Sequence, residues 1–160
     1  MNETATPPPI VLWLSSRYGN IELAEALLDR ACRDRGLSEG AGHWVGMALR
    51  EALANAIKHG NRQEAEKRVL VTFGGDEGTL AIEVGDEGAG FSPDEVADPL
   101  AEENQMKTSG RGIFYMRTFM DEVDFSRGER GGTLLTMKKR LEATFTTKGA
   151  DAHGQDCHHA

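Results

Sequence analysis

Glu51-Ala-Leu-Ala-Asn55-Ala-Ile-Lys-His59-Gly60 is the stretch on which the reading of this 160-residue chain turns. Taken as a helix, Val45, Leu49, Ala52, Leu53, Ala56 and Ile57 form one apolar stripe at three- and four-residue spacing. Glu51, Asn55 and His59 recur every fourth residue and share a different stripe. A carboxylate then stands beside an amide oxygen. The amide oxygen is a hard ligand suited to Mg²⁺, and a neighbouring carboxylate can accept a proton. A solvated polar face has the same spacing, so this stretch alone leaves both readings open.

The flanking sequence sets that helix in a fold. The helix runs from about Glu39 to His59, and Gly60-Asn61 signals its end. Upstream, Gly19–Arg35 carries Ile21, Leu23, Ala24, Leu27, Leu28 and Ala31 at helical spacing, and Gly36 stops it. Ile10–Leu14 is a short strand. Downstream, Val69, Val71 and Phe73 alternate, as do Leu80, Ile82 and Val84, with Gly74–Gly78 as the hairpin loop between them. Gly85–Ser109 is loop-rich, with at most one helical turn opened by Ser92-Pro93-Asp94. A third helix follows from Ile113 to about Met120, then strands at Val123–Ser126 and Thr133–Lys138. The order β-α-α-β-β-α-β-β predicts an α+β two-layer sandwich: a mixed, mostly antiparallel sheet with about three helices on one face. The domain spans 10–140. Residues 1–9, ending in Pro7-Pro8-Pro9, read as a flexible N-terminus, and 141–160 as a disordered tail.

Composition narrows the function classes. With 26 acidic and 18 basic residues the net charge is −8 and the pI about 5.1. Nucleic acids and anionic membranes need a concentrated positive surface, so neither is an expected partner. The apolar run Ile10–Leu14 is too short for a membrane span or a secretory segment, and no basic residue precedes Arg17. Cys32 and Cys157 support neither a disulfide framework nor a zinc cluster, which fits a reducing cytoplasm. His153, Cys157, His158 and His159 lack the spacing of a structural zinc site. Cys32 reads as a small buried residue.

Three further stretches place polar residues or glycines where packing alone would not ask for them. In Asp86-Glu-Gly88-Ala-Gly90-Phe91, Asp86 continues the parity of Leu80, Ile82 and Val84, which aims a carboxylate at the core side. A carboxylate there needs a donor, and the exocyclic amine of a base would serve. A strand that simply ends at Gly85 with Asp86 opening a turn is the competing reading. Thr108-Ser109-Gly110-Arg111-Gly112 leads into a helix, where backbone N–H groups and the helix dipole favour an anion and Arg111 adds a fork of donors. An ordinary glycine-rich helix start fits the same residues. Gly131-Gly132-Thr133 opens the last strand and is explained by a hairpin. There is no P-loop run, and neither glycine pair has the third glycine of a dinucleotide fingerprint.

As an ordered set, E-x-x-x-N-A-x-x-H-G, D-x-G-x-G-F, G-x-G-I and G-T resemble the N, G1, G2 and G3 boxes of the GHKL, or Bergerat-fold, ATPases. The stretch Gly110–Val123 is similar to the third box of the anti-sigma-factor serine kinases. Histidine kinases share the boxes but place a phosphoacceptor histidine upstream; here the only upstream histidine is His43, read as structural or surface. The resemblance implies Glu51 as general base and Asn55 as the Mg²⁺ ligand. It implies Asp86 on the adenine amine, with Thr133 on the attached water network, and Gly88 and Gly90 shaping the adenine pocket. Thr108, Ser109, Gly110, Arg111 and Gly112 would line the triphosphate, in a lid running from about Ser92 to Ser109; Lys107 could reach the phosphates too, but on an exposed lid its default role is a solvated charge. Arg111 would also neutralise charge in catalysis. It further implies ATP as nucleotide, an anti-anti-sigma (STAS) protein as substrate, a sigma factor as sequestered partner, and a homodimer through the first strand and first helix. A non-catalytic ATP-binding switch and a catalytic fragment serving a separate phosphoacceptor are the alternatives.

Overall fold

The computed structural model describes residues 8–90 and 108–142. Strand β1 (Ile10–Ser15) leads through a 3-10 turn (Tyr18–Asn20) into α1 (Ile21–Asp34) and α2 (Glu39–Asn55). Strands β2 (Arg68–Asp76) and β3 (Thr79–Gly85) follow, then α3 (Thr108–Phe119), β4 (Glu122–Arg127) and β5 (Thr133–Arg140). The sheet order is β1-β2-β3-β5-β4. Every pairing is antiparallel, so the sheet expected as mixed and mostly antiparallel has no parallel pair among the described residues.

Alternation decides which face is covered. Val69, Val71, Phe73, Leu80, Ile82, Val84, Leu135 and Met137 are buried, and each sits two residues from the next in its strand. The α2 stripe of Val45, Leu49, Ala52, Leu53, Ala56 and Ile57 lies against that face, joined by Leu28 of α1 and Met116 of α3. Each fully buried side chain of this size contributes about 1.5–3 kcal/mol relative to exposure. Cys32 is buried with them.

The helix ends follow local chemistry. Gly36, at φ +70°, closes α1, with its N–H donating to the Arg33 carbonyl and that of Leu37 to Cys32, the paired bonds of a Schellman motif. The Ser38 Oγ accepts the Ala41 N–H at the start of α2. Three boundaries depart from the spacing. The helix expected through His59 is α-helical only to Asn55 and ends in a π-turn, Ala56–Gly60, where the Asn61 N–H reaches the Ala56 carbonyl at 2.7 Å. The hairpin loop shrinks to Glu77-Gly78, because β2 continues to Asp76. The third helix begins at Thr108 rather than Ile113. Glycine costs a helix about 1 kcal/mol, but Gly112 is buried, and its missing side chain lets α3 pack directly on α2.

Candidate nucleotide site

Asp86 is the centre of the site. It is 8% exposed, and its place one residue beyond β3 keeps it on the core side of the sheet, as its parity predicts. Its Oδ1 accepts the N–H groups of Gly88 at 2.9 Å and Thr133 at 3.1 Å. Its own N–H donates to the Thr133 carbonyl at 2.9 Å. Among the described residues no donor reaches Oδ2. A carboxylate this enclosed, with one oxygen saturated and the other free, is set to accept a hydrogen bond from a ligand.

Three glycines make room for it. A Cβ on Gly60 would collide with the Asp86 carboxyl group, one on Gly88 with the Gly60 carbonyl, and one on Gly132 with the Asp86 carbonyl. The π-turn, the loop after β3 and the start of β5 therefore meet at van der Waals distance only because none of them carries a side chain there. Gly90, at φ +72°, turns the chain beside Gly131.

The pocket in front of Asp86 has a volume of about 330 Å³, in the range of small-ligand sites. Ala52, Ala56, Val84, Ile113 and Leu135 supply apolar walls, and Asn55, His59, Arg62 and Thr133 polar ones. A flat heterocycle with an amine at one end suits such a slot. Glu51 and Asn55 stand at its rim against the second turn of α3: a Cβ on Gly112 would lie 2.7 Å from the Glu51 Oε2 and 3.5 Å from the Asn55 Nδ2. Carboxylate and amide thus both face Gly112 of α3. No cluster of three or more His, Cys, Asp or Glu ligands occurs among the described residues. The donor set fits Mg²⁺ rather than a closed metal cage, since Mg²⁺ takes few protein oxygens and completes its shell with phosphates and water.

The predicted residues divide as follows. Asn55, Asp86, Gly90 and Thr133 line one pocket, Gly88 packs on the Gly60 carbonyl beside Asp86, and Glu51 lies against Gly112. Arg111 is exposed in the first turn of α3. Thr108, Ser109 and Gly110 open that helix, although their side chains fall outside the described residues. Lys107, the lid and the His/Cys tail lie outside the described residues altogether.

Several contributors escaped the sequence reading. Asn61, read only as a helix-end signal, is completely buried; its Nδ2 donates to the Arg68 carbonyl at 3.0 Å and its Oδ1 accepts the Glu87 N–H at 2.8 Å. Arg62, which lines the pocket, and Gln63 adopt φ +52° and +59°, a turn no local signal announced. Glu87 accepts the Arg68 N–H at 2.7 Å and pairs with Arg130 at 3.1 Å. The Arg68 N–H, then the Arg130 guanidinium, hold its carboxyl below the usual carboxylate range.

An antiparallel sheet covered by three helices, with a base-sized slot closed by a buried aspartate, defines a nucleotide-binding domain of the GHKL class. Residues 14–139 match the histidine kinase-like ATPase domain, and the chain belongs to that family. Among curated relatives it is 34% identical over 94 residues to an anti-sigma F factor of Heyndrickxia coagulans, and 37% over 93 residues to that of Bacillus thuringiensis (strain Al Hakam). Each match covers 57% of this chain and 64% of the relative's length. The structure of the RsbU and RsbW domains of Rv1364c from Mycobacterium tuberculosis superposes with a TM-score of 0.61. At 19% identity, over 84% of this chain and 33% of that one, it shows a shared fold.

Proposed function

We propose that the protein is an ATP-dependent serine kinase that acts as an anti-sigma factor, phosphorylating an anti-anti-sigma (STAS) protein and sequestering a sigma factor. The observation that carries this reading is the pair of adjoining polar groups: an aspartate oxygen left free inside a base-sized slot, and a carboxylate beside an amide at its rim. The names of the anti-sigma F relatives support the choice of partner. A protein substrate has to reach Glu51, and the exposed rings of Trp44, Phe114 and Tyr115 on α2 and α3 offer it apolar surface.

In this reading Asp86 Oδ2 accepts the adenine amine, and Asn55 holds Mg²⁺. The metal would neutralise the phosphate oxygens, as phosphoryl transfer requires. Arg111 adds positive charge from α3. Glu51 takes the proton of the substrate serine as its Oγ bonds to the γ-phosphorus; the bond from that phosphorus to the β–γ bridging oxygen breaks and ADP leaves.

The test is labelled ATP with candidate STAS proteins, run on the parent and on Glu51→Ala. The variant should bind ATP as the parent does and lose about 10²–10⁴ in transfer rate, the usual worth of a general base. Transfer at the parent rate would remove Glu51 from the mechanism. ATP binding with no transfer by the parent would favour the non-catalytic switch.

A further inference from the structure

We infer that Glu87 is a positioning residue for Asp86, and that through it the chain sets its preference for a purine bearing a 6-amino group. The inference rests on the reading of the pocket as an adenine site.

Asp86 is held by the sheet on one side only: β5 reaches it through Thr133, and β2 does not. The β2–β3 ladder ends at the Leu70–Gly85 pair, one residue short of Asp86. Glu87 takes over where the ladder stops. Its carboxylate accepts the Arg68 N–H at 2.7 Å, and its own N–H goes to the buried Asn61 Oδ1 at 2.8 Å. The same carboxylate pairs with Arg130 at 3.1 Å and with the Arg68 guanidinium at 3.5 Å. Arg130 belongs to the turn that carries Gly132, and Gly132 packs against Asp86 from the other side. Both guanidiniums stack on Trp13 of β1, at 4.9 Å for Arg68 and 4.6 Å for Arg130. Glu87 thus ties the start of β2 and the β4–β5 turn to the residue next to Asp86. It does not itself line the pocket, so its influence on a ligand passes through Asp86.

The orientation matters because the two Asp86 oxygens are not equivalent. Oδ1 is occupied by Gly88 and Thr133, which leaves Oδ2 to meet the ligand. A 6-amino purine presents a donor there. A 6-oxo purine presents an acceptor, and two facing acceptors repel. Discrimination between ATP and ITP therefore reports how firmly Asp86 is held.

The experiment measures dissociation constants for Mg-ATP and Mg-ITP on the full chain, with melting temperatures alongside, for the parent, Glu87→Ala and Glu87→Gln. The parent should prefer ATP about tenfold or more, the worth of one hydrogen bond gained or lost at a buried site. Glu87→Ala should lose most of that preference by weakening ATP while ITP changes less than about twofold. Glu87→Gln keeps an acceptor for the Arg68 N–H but not the charge, and should fall between. An unchanged ATP constant in Glu87→Ala, or equal weakening of ATP and ITP, overturns the positioning role. A parent that does not distinguish ATP from ITP overturns the adenine reading of Asp86, and the role of Glu87 goes with it.

Discussion

The two oxygens of Asp86 differ: Oδ1 holds the loop together through Gly88 and Thr133, while no donor among the described residues reaches Oδ2, the oxygen that the proposed function gives to the adenine amine. Asp86→Asn can still present an oxygen to the Gly88 and Thr133 N–H groups but loses the charge that strengthens a bond to an amine. ATP affinity should fall about 10–100-fold, from the 1.5–3 kcal/mol of a charged hydrogen bond, as calorimetric titration reads, with little change in the melting temperature from a thermal scan. Gly60→Ala makes a harsher test, because its methyl group enters the space of the Asp86 carboxyl. Binding should be lost in that variant even where the protein still folds. Ser16 gives the opposite sign. Its Oγ is buried without a hydrogen-bond partner among the described residues, so Ser16→Ala should leave stability unchanged or raise it by up to about 1 kcal/mol in denaturant unfolding.

Helix α2 ends in a widened turn for a reason that lies beyond the helix. The π-turn presses Gly60 onto Asp86 and turns Asn61 inward, where it joins the first residue of β2 to the loop after β3. Asn61→Ala strands the Arg68 carbonyl and the Glu87 N–H and should cost about 1–3 kcal/mol, measured by urea unfolding. On α1, burial and then the nearby Asp29 push the Cys32 thiol up to about 11, against an ordinary 9.0. A thiol whose folded pKa is raised contributes stability that is complete below the unfolded value and is lost as pH rises through the folded one. In a Cys157→Ser background, Cys32 should therefore stay unreactive to thiol reagents at pH 8. Stability should begin to fall only above about pH 9.

Strand β1 lies at one edge of the sheet and leaves Val11 53% and Trp13 42% exposed, with Leu23 of α1 57% exposed nearby in sequence. An open edge with apolar side chains invites pairing with another chain. If the homodimer implied by the family resemblance forms there, Leu23→Glu should shift sedimentation toward the monomer while ATP affinity holds. Among the described residues no helix is long and apolar enough to cross a membrane. The stacked rings of Trp44 and Phe119, 4.4 Å apart, lie on a separate exposed face built from α2 and α3.

Periodicity alone determined the element order, the apolar stripe of α2, the inward parity of Asp86 and the glycine that ends α1, since each depends on neighbours a few residues apart. The pairing of Glu51 with Asn55 was legible for the same reason. Other features were beyond its reach: the collar of Gly60, Gly88 and Gly132, the inward turn of Asn61, the early start of α3 and the link from Glu87 to Arg68 and Arg130. Apart from the Asn61–Arg68 bond, these depend on segments 19 to 61 residues apart closing to contact distance, and close packing across such separations is decided by the folded chain and not by local spacing.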